Sequence, residues 1–400
     1  MFRNVMQQVL GEVSAKLAMD HVLELTRHHR VQAGRGFGDA AEHCLRALRA
    51  AGLEARVNTY PSDGRTRYWG CLPARPWEAT DAELWLVEPR HLRRRLAWYR
   101  ENPISLVLRS SATPQEGVEA GLVAVEQGDD EAAYAGLEVR GRFVLGRGQA
   151  QRFKELAVDQ KGAVGIVVQG LREFPPVRRR FDLPDALEYT SFLGPVEGPP
   201  AFGFVVSDRE AEFLRSLMKE SPGEVRLKAR VDARFADGAL EVVEAWIPGE
   251  TAEEVLVVAH LCHPRPSAND NASGAAALLE AARTLNALIG DGRLPRTRRG
   301  IQFLLVPEMT GTHAYLAANQ DRIKLTVAGI NLDMVGQRQE VCGGSLLVEA
   351  PSRAQPSFTA ALALRMVEAL SEGTATLGGL YAPPPFRYAP APFSGGSDHY

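Results

Sequence analysis

The sequence lacks the features that define several classes of protein. Its four cysteines are scattered, with no CxxC pair and no closely spaced framework, which predicts free and mostly buried thiols in a reducing compartment. No apolar run approaches the ~18 residues of a membrane-spanning helix, and the amphipathic N-terminus does not resemble a signal peptide. These absences predict a cytoplasmic protein without a membrane partner.

The chain also lacks an excess of charge of either sign. It has 46 Lys and Arg residues against 49 Asp and Glu residues, and its formal net charge is −3. Its densest basic runs are short, so the sequence predicts no nucleic-acid partner. Hydrophobic residues make up 45% of the 400 residues, an ordinary globular balance in a chain long enough for two or three domains.

The pattern of helices and strands changes along the chain. Residues 1–65 are predicted to form a helix, a second helix and a strand. Asp39 is the predicted cap of the second helix, with Glu42 at the capping-box spacing, and Gly52 is its predicted end. Residues 66–237 differ in character, because they hold four of the five tryptophans and several short strand-like segments.

The stretch from residue 238 onward alternates between strands and helices. Strands are predicted at 255–259, 301–306 and 327–332, and helices at 271–289 and 310–318. This alternation predicts an α/β fold with a mostly parallel sheet covered by helices on both sides.

Polar residues follow the predicted strands at the points where the strands end. His260, Glu308 and Asp333 take these positions, and Asp270 lies in the turn PSANDNASG before a helix. The carboxyl ends of parallel strands share one edge, so we expect these side chains to converge. Imidazole nitrogen and carboxylate oxygens suit Zn²⁺, with Mn²⁺ or Co²⁺ as alternatives, and a shared carboxylate suits a pair of ions. Taken singly, each residue is also an ordinary loop start or helix cap.

These motifs resemble a known family. AHLCHPRPSANDNASGAAALLEAA and NLDM resemble the two-zinc aminopeptidases of peptidase clan MH, the leucyl aminopeptidase and glutamate carboxypeptidase group. The resemblance implies a zinc-exopeptidase-like fold in which His260 is a ligand of the first zinc, Asp270 is the bridging carboxylate and Asp333 is a further ligand. The closing GGSDHY resembles the family's Ser-Asp-His segment near the substrate pocket.

The middle of the chain resembles another domain that is often found within such peptidases. RGRFVLGRG, FKELAVDQKGAVGIVV and PAFGFVVSDREAEFL are similar to a protease-associated domain. The implied organisation is a peptidase domain formed by residues 1–65 and 238–400, with residues 66–237 as an inserted, β-rich, protease-associated-like domain.

The chain departs from the family pattern at three points. Cys262 stands where the family has an Asp that orients the first histidine, and the adjacent His263 is a candidate for that role or for a ligand. A single glutamate, Glu308, stands where the family has two, so it is either the metal ligand or the general base. The family's last histidine ligand has no counterpart, which leads us to expect a truncated chain, with Asp398 and His399 as further candidates.

The function predicted from these residues is metal-assisted hydrolysis of a peptide or amino-acid amide, most simply as a zinc-dependent aminopeptidase. One alternative is a catalytically inactive binding protein that keeps the peptidase fold. Another is a zinc-dependent amide hydrolase or glutaminyl cyclase-like enzyme. The sequence is compatible with a homo-oligomer and leaves the substrate side chain open.

Overall fold

A computed structural model describes residues 2–175, 178–179, 181–192, 200–371 and 386–399. The α-helices are α1 (Phe2–Glu12), α2 (Ala15–Leu25), α3 (Arg35–Ala50), α4 (Ala150–Lys154), α5 (Asp208–Glu220), α6 (Gly274–Gly290), α7 (Thr310–Ala318), α8 (Gln320–Ile323), α9 (Gln339–Cys342) and α10 (Thr359–Ser371). The strands are β1 (Glu54–Ser62), β2 (Trp77–Glu88), β3 (Arg94–Trp98), β4 (Val118–Gln127), β5 (Phe143–Arg147), β6 (Gly165–Gln169), β7 (Gly203–Val206), β8 (Arg226–Phe235), β9 (Gly238–Ile247), β10 (Glu254–His260), β11 (Gly300–Val306), β12 (Thr326–Asn331), β13 (Leu346–Glu349) and β14 (Tyr388–Ala391).

The chain divides into two compact units. The first unit is formed by Met1–Pro73 together with Gly238–Tyr400, and the second unit by Ala74–Asp237. The second unit therefore lies, in sequence, between strands β1 and β9 of the first.

The sheet of the first unit is mixed. Its strand order is β1-β9-β11-β10-β12. Strand β9 runs antiparallel to both β1 and β11, whereas β10 runs parallel to β11 and β12. The prediction of a mostly parallel sheet is therefore wrong for its β1 side. The sequence pattern concealed β9, because the charged Glu244 is fully buried in the middle of that strand.

Helices cover both faces of this sheet. Apolar residues of α2, α3 and α6 pack with Val243, Ala245, Phe303 and Leu305 on one face. On the other face, Tyr315 of α7 packs with the residues that alternate with these, including Val242, Leu304 and Val306. Because successive side chains of a strand point to opposite faces of the sheet, the same strands contribute residues to both hydrophobic cores.

Helix α3 begins earlier than its capping pattern indicates. It starts at Arg35 after Gly34, so Asp39 lies inside the helix and its prediction as the cap is wrong. The reason is burial, because Phe37 is fully buried in the first turn and packs in the same core as Cys44 and Leu48. Gly52, with a φ of +81°, follows the end of the helix as predicted.

The second unit has its own sheet and core. Its strand order is β3-β2-β8-β4-β5-β6-β7, and β4 to β7 are parallel. Phe153 and Leu156 from the helical segment after β5 pack on Val144 and Ile166. Trp77 is buried and donates from its Nε1 to the carbonyl oxygen of Ser110 at 2.8 Å. These contacts give residues 74–237 a hydrophobic core that is separate from the cores of the first unit.

The described residues include all four cysteines and the helices that bear on a membrane location. None of the four cysteines is paired; Cys44 and Cys262 are buried, Cys71 is half-buried and Cys342 is exposed. Among the described helices, none combines the length and the apolar character that crossing a membrane requires.

Candidate metal centre

The parallel strands bring two of the predicted ligands side by side. In the register of β10 with β12, Val258 pairs with Asn331, so His260 and Asp333 lie two residues further along neighbouring strands. His260 pairs with Val306 of β11, and Glu308 follows two residues beyond Val306. Three candidate side chains therefore reach one edge of the sheet, as the sequence predicts from their positions after the strands.

Asp270 reaches the same edge through a tight turn at Ala268–Ser273, just before α6. Asn271 anchors this turn and is fully buried. Its Nδ2 donates to the carbonyl oxygens of His260 (3.2 Å) and Leu332 (2.9 Å), and its Oδ1 accepts from the backbone N–H groups of Gly274 and Met334, both at 3.0 Å. One amide thus ties the Asp270 turn to the ends of β10 and β12.

The central group of the site is His260, Asp270 and Asp333. One ligand atom from each lies within 4.8 Å of the other two. His260 Nε2 is 3.4 Å from Asp270 Oδ1 and 3.3 Å from Asp333 Oδ1. The imidazole is 1% exposed, whereas the two carboxylates are 34% and 24% exposed, so the group opens toward solvent on its carboxylate side.

A second group shares His260 and includes residues that the sequence marked only as alternatives. His260, Cys262, His263 and Glu308 also each offer one atom within 4.8 Å of the others. His263 Nε2 is 3.6 Å from Asp270 Oδ2 and 3.8 Å from Glu308 Oε2. Asp270 therefore faces His260 with one oxygen and His263 with the other.

Cys262 lies behind the two histidines. Its buried Sγ is 3.8 Å from His260 Nδ1 and 3.9 Å from His263 Nδ1, and it accepts from the N–H of Glu308 at 3.2 Å. This is the space where the resemblance places an Asp that orients the first histidine. The thiol thus supports both imidazoles from the side that faces away from the carboxylates.

The backbone around Glu308 is held by residues from distant parts of the chain. Gln32 donates from Nε2 to the carbonyl oxygen of Glu308 at 3.0 Å and accepts from Thr310 Oγ1 at 2.9 Å. Asp398 accepts from the N–H of Met309 at 2.7 Å and from Thr312 Oγ1 at 2.6 Å. Asp398 therefore lies at the N-terminal end of α7, next to the centre and outside both ligand groups.

His399 is placed elsewhere in the described structure. Its Nε2 is 2.8 Å from Glu349 Oε2, and its ring packs edge-on against Phe393. The structure therefore brings together His260, Asp270, Asp333, Glu308, Cys262 and His263, and it places His399 next to Glu349 instead.

The charges of the site are strongly coupled. Burial lowers the pKa of His260, but the Asp333 carboxylate, Cys262 and Glu308 together outweigh burial and raise it above the ordinary value. Burial raises the pKa of the Asp333 carboxyl group, but its contacts with His260, Ser397 and His263 together outweigh burial and lower it. Burial raises the pKa of Glu308 to about 7, against the opposing effect of His260.

The residues present fit a divalent metal ion. Two carboxylates, Asp270 and Asp333, face one nitrogen of a buried imidazole, and such crowding of negative charge is relieved by a cation. One nitrogen and two oxygen donors are a set that Zn²⁺, Mn²⁺ and Co²⁺ accept. A metal ion would also displace the protons of the imidazoles, so we expect binding to weaken as pH falls.

Sequence reasoning missed the residues that hold the ligands in place. Arg30 is fully buried, and its guanidinium donates to the carbonyl oxygens of Leu261 (2.8 Å) and Ser267 (2.9 Å). Arg30 and Gln32 precede α3, more than 200 residues before these partners. Of these supporting residues, only Asn271 left a signal in the sequence, because it directly follows Asp270 within the NDN motif.

The architecture of this chain is similar to solved structures of peptidases. A peptidase M28 precursor from Shewanella amazonensis matches with a TM-score of 0.66 at 17% identity, covering 98% of this chain and 83% of that chain. A zinc aminopeptidase from Bacillus subtilis matches with a TM-score of 0.63 at 18% identity, covering 90% and 78%. At these identities the likeness shows the fold alone.

Sequence comparison identifies the family. Residues 49–343 match the family described as "Domain of unknown function (DUF4910)", and the chain belongs to that family. A curated relative from Clostridium acetobutylicum, named "Putative polysaccharide biosynthesis protein with aminopeptidase-like domain", is 34% identical over 106 residues. That match covers 26% of this chain and 23% of the relative, so the aligned region spans less than a quarter of the relative's length.

Proposed function

We propose that the protein is a metal-dependent hydrolase of the aminopeptidase type that acts on peptides or amino-acid amides. The observation that carries this proposal is the convergence of His260, Asp270 and Asp333 at the carboxyl edge of the sheet, with Glu308 beside them. Zinc aminopeptidases share the fold, and this edge is where α/β sheets collect their ligands.

The ion would be held by His260, Asp270 and Asp333. Zinc is the proposed metal, with manganese or cobalt as alternatives of similar ligand preference. When bound, such an ion polarises a carbonyl group and makes a water molecule acidic enough to attack it near neutral pH. The buried ring of His260 and the amide of Asn271 keep the donor atoms in position while the carboxylates remain open to solvent.

Glu308 would handle the proton of this reaction. Its partly exposed carboxylate lies beside the donor atoms, where it could accept a proton from the attacking water and return that proton to the leaving amine. The carboxylates of Asp270, Asp333 and Glu308 are all partly exposed, and they would attract the positive amino terminus of a peptide. This preference for a free amino group is what makes the proposed activity that of an aminopeptidase.

The finer family assignment also belongs to this proposal. We assign the peptidase domain, formed by residues 1–65 and 238–400, to peptidase clan MH. We assign residues 66–237 to a protease-associated-like domain, supported by the separate core of the second unit and by its short parallel strands.

The test combines a metal assay with an activity assay on the full chain. Zinc-loaded protein is analysed for zinc per chain, and hydrolysis is measured on amino-acid anilides and on the same anilides with an acylated amino group. We expect bound zinc and hydrolysis of the free-amino anilides. Asp270→Asn should reduce both by at least about tenfold, because it removes the charge that two imidazoles share. Asp291→Asn, in a surface ion pair with Arg293, is the matched control and should change neither.

Each other outcome has a definite meaning. Zinc binding with hydrolysis of the acylated substrates alone would replace the aminopeptidase with an amide hydrolase. Zinc binding without turnover of either substrate would favour an inactive binding protein. Absence of bound metal, or full activity in Asp270→Asn, would overturn the proposal.

A further inference from the structure

His263 repeats the arrangement of His260 on the other side of Asp270. His260 Nε2 faces Asp270 Oδ1 and a second carboxylate, that of Asp333, at 3.4 and 3.3 Å. His263 Nε2 faces Asp270 Oδ2 and a second carboxylate, that of Glu308, at 3.6 and 3.8 Å. Each of these histidine–carboxylate separations is of the order found between two donor atoms that share one small divalent ion, since metal–ligand bonds are about 2.0–2.2 Å long.

The hydrogen bonding of His263 prepares its Nε2 for a metal. Its Nδ1 is 2.6 Å from the carbonyl oxygen of Cys262, a group that can only accept, so Nδ1 carries a proton and donates it. The neutral ring then has its lone pair on Nε2, the atom that faces Asp270 and Glu308. A backbone carbonyl that fixes the tautomer in this way is typical of a ligand histidine.

The backbone holds His263 in an uncommon conformation to achieve this. Its φ of +141° lies in a region that residues with side chains rarely adopt. Two backbone hydrogen bonds with Arg30, of 2.9 and 3.1 Å, hold the residue there, and the guanidinium of Arg30 binds the carbonyl oxygens on either side. The imidazole is 9% exposed, so a strained main chain places it inside the centre instead of at the surface.

We propose that His263 is the imidazole ligand of a second metal ion, held by His263 Nε2, Asp270 Oδ2 and Glu308 Oε2. Asp270 is then shared between two ions, one oxygen to each. The inference rests on the proposed function, because it adds an ion to the same centre. A bound cation lowers the pKa of a carboxyl group, so in the two-ion centre Glu308 is a ligand, and its proton-transfer role belongs to the centre that holds one ion.

The imidazole for the second ion comes from the loop that follows β10, three residues after the first ligand. His399, the other candidate, pairs with Glu349 in the described structure. Zinc binding by variants of His263 and of His399 therefore compares the two candidate ligands directly.

The experiment measures zinc per chain, and its affinity, by titrating metal-free full-length protein calorimetrically. We expect two zinc ions per wild-type chain and one per chain in His263→Gly, a change that also suits the positive φ. His263→Gln retains the size of the side chain and should likewise bind one ion, or a second ion more than about tenfold more weakly. His399→Ala should retain two. Thermal unfolding in chelator verifies that every variant is folded, so that loss of metal is not loss of structure.

The outcomes separate this inference from the proposed function. Two ions in both His263 variants would overturn the inference and leave the proposed function intact. A wild-type chain that binds only one zinc ion would also overturn the inference, because the second metal position would not exist. The result would be the same whichever variants retain that ion. Loss of the second ion in His399→Ala with its retention in His263→Gly would transfer the role to His399. A wild-type chain that binds no zinc would contradict the proposed function itself.

Discussion

His29 is a half-buried histidine whose neutral form the fold favours. Burial lowers its pKa to about 4 from an ordinary value of 6.5, and its Nδ1 accepts from the N–H of Arg265 at 3.3 Å. Between these two pH values the unfolded chain binds a proton that the folded chain does not bind. The free energy of unfolding should therefore decrease as pH falls from about 6.5 to about 4, by up to about 3 kcal/mol from this residue.

The substitution His29→Asn isolates this effect. Asparagine can still accept the hydrogen bond from Arg265, but it does not titrate. We expect urea unfolding of the variant, in chelator, to show a shallower dependence on pH than the wild type over that range. If the free energy of unfolding depended equally on pH in the two proteins, His29 would not contribute to that dependence.

At the scale of secondary-structure elements, Asn271 joins a turn, a helix and two strands. Asn271→Ala would leave the carbonyl oxygens of His260 and Leu332 and the N–H groups of Gly274 and Met334 without their side-chain partner. Unsatisfied buried groups cost about 1–3 kcal/mol each, so we expect the free energy of unfolding to fall by about 3 kcal/mol or more. Zinc affinity should fall as well, because Asp270 and Asp333 lose their common anchor.

Asn286 offers a matched control for this change. Its Nδ2 donates to the carbonyl oxygen of Ala51 at 2.9 Å, far from the centre. Asn286→Ala should cost about 1 kcal/mol and leave zinc binding unchanged. If Asn271→Ala resembled this control in both urea unfolding and zinc titration, the anchoring role of Asn271 would be wrong.

At the scale of the whole molecule, the two units should respond differently to metal. The donor groups of the centre belong to the first unit, and neither of the described metal-ligand groups lies within 74–237. A ligand present at 100 times its Kd stabilises the state that binds it by about 2.7 kcal/mol. We expect hydrogen exchange, followed by mass spectrometry, to slow in β10 and α6 when zinc is added, while β5 to β7 exchange at an unchanged rate.

Asp270→Asn provides the control for this measurement, because it should abolish the zinc-dependent protection of the first unit. Protection confined to 74–237, or spread equally over both units, would contradict a metal centre built on the edge of the first sheet.

Much of the α/β unit follows from local pattern. The strands β10, β11 and β12 are short runs rich in β-branched and apolar residues, and such runs show in the sequence whatever their neighbours are. Strand β9 was not predictable in this way. Its Glu244 accepts from Asn58, Arg56, Gln302 and Tyr315, and those partners, on β1, β11 and α7, are what allow a carboxylate to be buried within a strand.

The sequence by itself determined which polar side chains meet at the carboxyl edge of the sheet. His260 and Asp333 were predictable because parallel strands align their carboxyl ends, and Asp270 because it stands in the turn that opens the next helix. Only the tertiary structure decided the rest. The place of His263 beside Asp270, the thiol of Cys262 behind two imidazoles and the supports from Arg30, Gln32 and Asp398 depend on contacts across tens to hundreds of residues. No local periodicity encodes such contacts, because they arise when separate elements pack together.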